Sequence, residues 1–244
     1  AKKLFKDAQD MLRDIKKGGW LTLKAAYGIF PANSAGEEIK IGPNGELGSF
    51  YALRQMGEKS KFQSLADFVA PEGSVQDYVG CFAVTAGLDM EGPLKQFEDA
   101  MDDYNALMLK ALADRLAEAL AEYLHLRMRR EFWGYAPDEQ LTNDDLIAEK
   151  YSGIRPAPGY PACPDHLDKE TIFELLQAEK IGMSLTESLA MYPAASVSGY
   201  YFAHPESKYF AVGKLAKDQV EAYAAMRGIS MELAEKWLAP NLNY

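Results

Sequence analysis

Histidine and cysteine are scarce in this sequence, three and two residues among 244. Cys81 and Cys163 cannot build a disulfide framework, and their small number points to a reducing, cytoplasmic setting. A structural zinc site needs four ligands. Cys163 and His166 are close enough to supply two, but Cys81, His125 and His204 are scattered and form no second pair, so no metal site is expected. No Gly-x-Ser-x-Gly elbow is present, and three histidines without a partner motif make no triad. The absence of Gly-x-Gly-x-x-Gly argues against a Rossmann-type methyltransferase or dehydrogenase. Apolar runs are all broken by charge, Gly or Pro, so no membrane span is expected. The start, Ala1-Lys2-Lys3-Leu4-Phe5-Lys6-Asp7, has no apolar signal-peptide core and opens within a helical pattern, as an excised piece would. Repeats, low-complexity tracts and linkers are missing too, which favours one α+β domain over residues 1–244.

Acids outnumber bases, 36 to 26, for a net charge of −10. Such a surface repels phosphate backbones, so nucleic acid is not an expected partner. The one basic cluster, Arg127, Arg129 and Arg130, falls near a helix end, where cations suit the helix dipole.

Apolar spacing predicts a helix over 2–17, with Leu4, Phe5, Ala8, Met11, Leu12 and Ile15 on one face. Strands are expected over 20–30, over 38–41 running into a Pro43-Asn44-Gly45 turn, and over 78–85, the last buried on both faces. From Leu94 to Phe132 there is no Pro or Gly, and Leu109, Leu112, Leu116, Leu120 and Leu124 repeat at helical spacing. Run straight, that segment would be roughly 55–60 Å long, more than the ~45 Å breadth of a chain this size, so it is expected to bend, break or lie along the domain's longest edge. Thr142 should cap a helix through Lys150, and Asp168 one through about Lys180 closed by Gly182. Strands at 196–203 and 208–215 are expected to pair across His204-Pro205-Glu206-Ser207, with Tyr200, Tyr201, Phe202, Tyr209 and Phe210 packing across them. Two short helices follow, one ending at Gly228 and one capped by Ser230.

The segment 151–167 holds four prolines and two glycines, so regular structure is excluded over most of it. A loop this stiff loses little entropy on holding a ligand, and carbonyls and N–H groups outside a ladder are available to recognise one. Arg155, fixed in front of Pro156, carries a planar guanidinium suited to a carboxylate; by itself it reads more readily as a surface Arg on a structural loop. A flat aromatic nearby can receive an adenine ring or a sulfonium.

Arg155-Pro156-Ala157-Pro158-Gly159-Tyr160-Pro161-Ala162-Cys163-Pro164, followed by Asp165-His166, resembles the signature loop of the activation domain of cobalamin-dependent methionine synthase. Ala66-Asp67-Phe68-Val69-Ala70-Pro71, Lys110 to Ala119, Phe132-Trp133-Gly134-Tyr135-Ala136-Pro137, Ser196-Val197-Ser198-Gly199 and Trp237-Leu238-Ala239-Pro240-Asn241-Leu242 match in the same order, so the similarity runs from about Leu4 to Tyr244.

The resemblance implies a C-shaped α+β domain with a twisted antiparallel sheet that binds S-adenosylmethionine. It implies docking on the cobalamin module of the same chain and reductive methylation of inactive cob(II)alamin, with an electron from flavodoxin or a diflavin reductase. By the same resemblance Arg155 pairs with the methionyl carboxylate, and Pro156, Ala157, Pro158, Gly159 and Ala162 line the ligand with backbone atoms. Tyr160 approaches the corrin face as the residue nearest the chemistry. Tyr209 and Phe210 match an aromatic pair beside the ligand, and Glu118 and Glu149 match acids near its amino end. Full-length relatives carry an aspartate ahead of the position of Ala1, so the site is expected to be incomplete here. Methyl transfer from a sulfonium asks for positioning more than for acid–base groups, which agrees with a binding loop and no triad. The chain alone is expected to be inactive. The competing expectation is a free-standing S-adenosylmethionine sensor, which an isolated reading frame would favour.

Overall fold

The computed structural model describes residues 2–56 and 62–244; Ala1, where the expected domain begins, lies outside them. In chain order the elements are α1 (Lys2–Gly18), β1 (Thr22–Ala35), β2 (Glu38–Ile41), β3 (Gly48–Tyr51), β4 (Asp77–Leu88), α2 (Glu91–Asp99), α3 (Asp103–Arg127), α4 (Asn143–Ile147), α5 (Asp168–Leu176), β5 (Ser184–Leu185), β6 (Met191–Tyr192), β7 (Ser196–Tyr201), α6 (Lys217–Arg227) and α7 (Met231–Leu238). Five strands form an antiparallel sheet in the order β3-β2-β1-β4-β7, and β5 pairs with β6 apart from it. The α+β class is as expected.

Two compact units emerge along the chain. The first comprises Ala1–Ala26, Ala83–Leu126 and Gln177–Val197; the second comprises Tyr27–Phe82, Arg127–Leu176 and Ser198–Tyr244.

In the first unit, Met11 and Ile15 of α1 pack with Met108 and Leu109 of α3, bordered by Leu12, Trp20, Leu94 and Phe97. These are the positions that helical spacing put on one face of α1. The long helical stretch breaks, one of the outcomes its length allowed. Between α2 and α3 the chain turns at Met101, whose φ of 54° is left-handed, and the Asp102 carboxylate accepts the backbone N–H of Asn105 at 3.1 Å. Of the leucine row of α3 only its two ends, Leu109 and Leu124, are buried. Ala113, Ala117 and Ala121 are buried, while Leu112, Leu116 and Leu120 are only partly covered. Alanine at every fourth position lets a helix backbone approach its neighbours closely, and the flanking leucines then close the margins.

In the second unit, β2 and β3 pair from Glu38↔Tyr51 to Ile41↔Gly48. Their connection uses left-handed backbone at Gly42, Asn44 and Gly45, residue types that adopt it readily. Strand β3 is the returning strand that a hairpin turn at Pro43-Asn44-Gly45 implied, although Gly48-Ser49-Phe50-Tyr51 is too short to show alternation of its own. β1 runs past the expected end through Pro31 to Ala35. Along β4, which runs through both units, Val79 to Gly87 are all buried, as the unbroken apolar run implied. The C-terminal core gathers Leu53, Val212, Leu215, Val220, Tyr223, Ala224, Ala234 and Leu238. Gly228 closes α6 in left-handed conformation and the Ser230 hydroxyl caps α7, both as expected.

Four expectations are corrected. Thr142 does cap α4 through a capping box with Asp145, but α4 ends at Ile147, not Lys150, because Glu149 turns left-handed. α5 ends at Leu176, where Gln177 turns left-handed before a tight turn over Ala178–Ile181; Gly182 follows it. Asp168 starts α5 but does not cap it, since its carboxylate is engaged by Arg227 and Tyr200. Finally, the segment 208–215 is not a strand on β7, for a reason that lies in the proline-rich loop.

Candidate functional site

The loop 151–167 takes the place beside β7 that the hairpin was expected to fill. Ile154 and Phe202 exchange backbone hydrogen bonds at 3.0 Å each way, and the Tyr200 N–H donates to the Pro156 carbonyl at 2.9 Å. Proline can sit on such an edge because it has a carbonyl to offer and needs no partner for a missing N–H. Residues 208–215 are therefore displaced, and Val212 N–H donates to Pro161 O while Leu215 pairs with Asn241 and Asn243. The five aromatics divide accordingly. Tyr200, Tyr201 and Phe202 are buried, Tyr209 is exposed at the loop, and Phe210 is half-buried against Phe68 and the C-terminal core.

The loop's carbonyls are less available than a proline-rich sequence suggests. Tyr160 N–H donates to Ala157 O, Gly159 N–H to Cys163 O, and Cys163 N–H to Tyr160 O, all within 3.0 Å. The Cys163 thiol also donates to Ala157 O, and burial pushes its pKa well up, so it is neither a free ligand nor a nucleophile. What remains outward is the tip: Tyr160 is exposed, beside Gly159 at φ 96°. A side chain at Gly159 would strike His166, whose Cε1 lies 2.2 Å from the Cβ position. Burial, with the charge of Lys169, holds the His166 imidazole below the ordinary histidine range.

Gly199 of β7 faces the loop's backbone. A Cβ there would lie 2.4 Å from Pro156 O and 3.1 Å from Ala157 Cα, both backbone atoms. We expect Gly199→Ala to lever the loop off β7 and to cost about 1–3 kcal/mol in urea unfolding. An unchanged midpoint would mean that the loop is not seated against Gly199.

Arg155 stands where the loop leaves β7. Its backbone N–H donates to Tyr209 Oη at 3.1 Å, and its Nη1 donates to Tyr151 Oη at 3.1 Å. The two hydroxyls are themselves 3.0 Å apart. Arg155, Tyr151 and Tyr209 thus form one polar group on the loop, with Pro156, Ala157, Pro158, Gly159 and Ala162 just downstream. Nothing in the sequence singled out Tyr151; its distance from Tyr209 along the chain hides the pairing.

Both expected acids are exposed. Glu118 is exposed on α3 in the first unit, where with Asp114, Arg115, Ala117, Ser196 and Val197 it lines a shallow groove of about 260 Å³. Glu149 is exposed after α4 in the second unit, at φ 53°. Nor is the basic cluster a simple helix-end feature. Arg129 is fully buried and held by Glu139, and Arg127 pairs with Glu131.

With this loop seated on β7 and Arg155 held at its start, the chain compares closely with known proteins. The family model for the activation domain of vitamin B12-dependent methionine synthase matches residues 1–228. The chain belongs to that family. Among solved structures, a crystal structure of the MetH reactivation domain bound to AdoHcy is 54% identical to it, covers 100% of this chain and 78% of its own, and superposes with a TM-score of 0.94. The methionine synthase of the family name is a methyltransferase that depends on vitamin B12. Among the described residues, no helix is long and apolar enough to cross a membrane.

Proposed function

We propose that this chain binds S-adenosylmethionine and presents it to a cobalamin module of the same protein, so that inactive cobalamin is methylated back into use. The observation that carries the reading is Arg155, whose guanidinium donates to the Tyr151 hydroxyl while its backbone N–H donates to the Tyr209 hydroxyl, on a proline-stiffened loop. A cation and hydroxyl donors on rigid backbone suit the carboxylate of an amino-acid-bearing ligand. The loop is pinned to β7 by backbone bonds, so little order has to be bought on binding. The relative crystallised with AdoHcy, 54% identical, supports the same ligand class here.

In this reading Arg155 takes the carboxylate, and the backbone from Pro156 to Ala162 lines the ligand beside Tyr209 and Phe210. Exposed Tyr160 faces the corrin, while Glu118 and Glu149 serve the amino end. S-adenosylmethionine supplies an activated methyl group. Overall, cob(II)alamin, one electron and that methyl give methylcobalamin and S-adenosylhomocysteine. The electron comes from flavodoxin or a diflavin reductase, so the residues of this chain bind and orient and need not move protons.

Calorimetric titration of the chain with S-adenosylhomocysteine should show binding at one site. The chain alone, given homocysteine and methyltetrahydrofolate, should make no methionine. Titration without heat or thermal shift, or methionine made by the chain alone, would overturn the reading.

A further inference from the structure

Arg155 is the end of a stack that begins in the buried interior of the second unit. Arg129, in the π-type turn Met128–Phe132, has a side chain with no exposure, and its Nε and Nη2 lie 2.8–2.9 Å from the carboxylate of Glu139, itself 8% exposed. The guanidinium lies over the ring of Tyr151, with Cζ 4.5 Å from its centroid. Tyr151 is 9% exposed, and the Arg155 Cζ lies 5.9 Å from the centroid of the same ring. Tyr151 then reaches Arg155 Nη1 and Tyr209 with its hydroxyl. Gly153, between Tyr151 and Arg155, is pressed by Tyr135, whose Oη would lie 2.5 Å from a Cβ there.

A buried ion pair adds little net stability over apolar packing of the same volume, and turns of the π type recur at functional sites. The pair does have a geometric effect. With Nε bonded to both oxygens of Glu139 the Arg129 guanidinium is held in place, and a fixed cation fixes the aromatic ring it covers. A fixed ring carries its hydroxyl to one point, and that point sets one end of the Arg155 fork.

We propose that Tyr151 is the positioning residue that aims the Arg155 guanidinium at a carboxylate ligand, and that the buried Arg129–Glu139 pair locks Tyr151 in place. The inference rests on the reading that Arg155 holds the ligand's carboxylate. It assigns Tyr151 a task distinct from packing: its hydroxyl holds the fork of Arg155 in one rotamer before the ligand arrives, so that less side-chain freedom is lost on binding.

The test compares two ligands, S-adenosylhomocysteine, which has the carboxylate, and 5′-methylthioadenosine, which lacks the amino-acid end. Tyr151→Phe keeps the ring over Arg129 and removes only the hydroxyl. It should weaken S-adenosylhomocysteine binding about tenfold, the scale of one hydrogen bond to a charged group, and leave 5′-methylthioadenosine within about twofold. In an Arg155→Ala background, Tyr151→Phe should have no further effect on either ligand, because its role is exercised through Arg155. Tyr209→Phe keeps the Tyr151–Arg155 bond and should give a smaller loss for S-adenosylhomocysteine than Tyr151→Phe. Equal losses for both ligands, or a loss that persists without Arg155, would make Tyr151 a packing residue and overturn the proposal. A wild-type chain that binds the two ligands equally well would instead overturn the carboxylate reading of Arg155 itself.

Discussion

Arg155→Ala should weaken S-adenosylhomocysteine binding by about 2–4 kcal/mol, because a charge pair shielded from water loses that much when one member is removed. The loop should survive the change. Its seat on β7 is made by the backbone of Ile154, Pro156, Tyr200 and Phe202, and the N–H of residue 155 still reaches Tyr209. Calorimetry should therefore report the loss while circular dichroism and the urea midpoint stay near wild type. Arg155→Lys should fall between the two, since it keeps the charge but not the planar fork. Affinity unaffected by Arg155→Ala in a folded protein would remove Arg155 from the ligand site.

The largest stability effect is expected at Arg227. Its guanidinium donates to Asp168 Oδ1, lies 3.6 Å from Asp165 Oδ1 and receives both acids in a largely buried site. Tyr200 donates to Asp168 Oδ2 at 2.7 Å, and Arg227 Nε donates to Tyr223 Oη at 2.7 Å. The cluster joins the end of the 151–167 loop and the start of α5 to β7 and α6. Arg227→Met would leave two buried carboxylates without a counter-ion, and we expect a loss of about 3–5 kcal/mol near pH 8 in urea unfolding.

Acidity should recover part of that loss. Burial pushes the Asp168 carboxyl up to about 6, against the pull of Arg227 and with help from the charge of Asp165. The native state therefore holds this proton up to a pH at which the unfolded chain, with a carboxyl near 4, has released it. Native protein binds more protons between about pH 4 and 6, so the contribution of Asp168 to stability falls as pH rises through that window. Without Arg227 the carboxyl should be pushed higher still, and the variant's deficit should shrink as the pH is lowered from 8 to 5. A deficit below about 1 kcal/mol, or one indifferent to pH, would mean that the guanidinium does not neutralise the pair.

Local rules carried much of the fold. The helical spacing of α1, the unbroken apolar run of β4, the Thr142 and Ser230 caps and the Gly228 stop each depend on residues within a turn or two of one another, so the sequence alone determines them. The break at Met101 was one of the outcomes that length allowed, although which residue would turn was not legible. The identity of the proline-rich loop was also legible, because proline forbids regular structure at the positions it occupies.

Contacts between distant residues decided the rest. Residues 208–215 have an aromatic and apolar run that suits a strand, but the edge of β7 they would have joined is taken by Ile154 and Pro156, which only the folded chain brings there. Leucine spacing marked α3 as a helix, yet along its middle Ala113, Ala117 and Ala121 are buried and the leucines between Leu109 and Leu124 are only partly covered. Asp168 looked like a cap, and the nearness of Arg227 made it half of a buried pair instead. For the site, the sequence named Arg155 and its loop; the tertiary structure supplied Tyr151, Arg129 and Glu139. The spacing of hydrophobic and turn residues records local geometry, whereas the partners of a buried charge are chosen by desolvation, which depends on everything that packs around it.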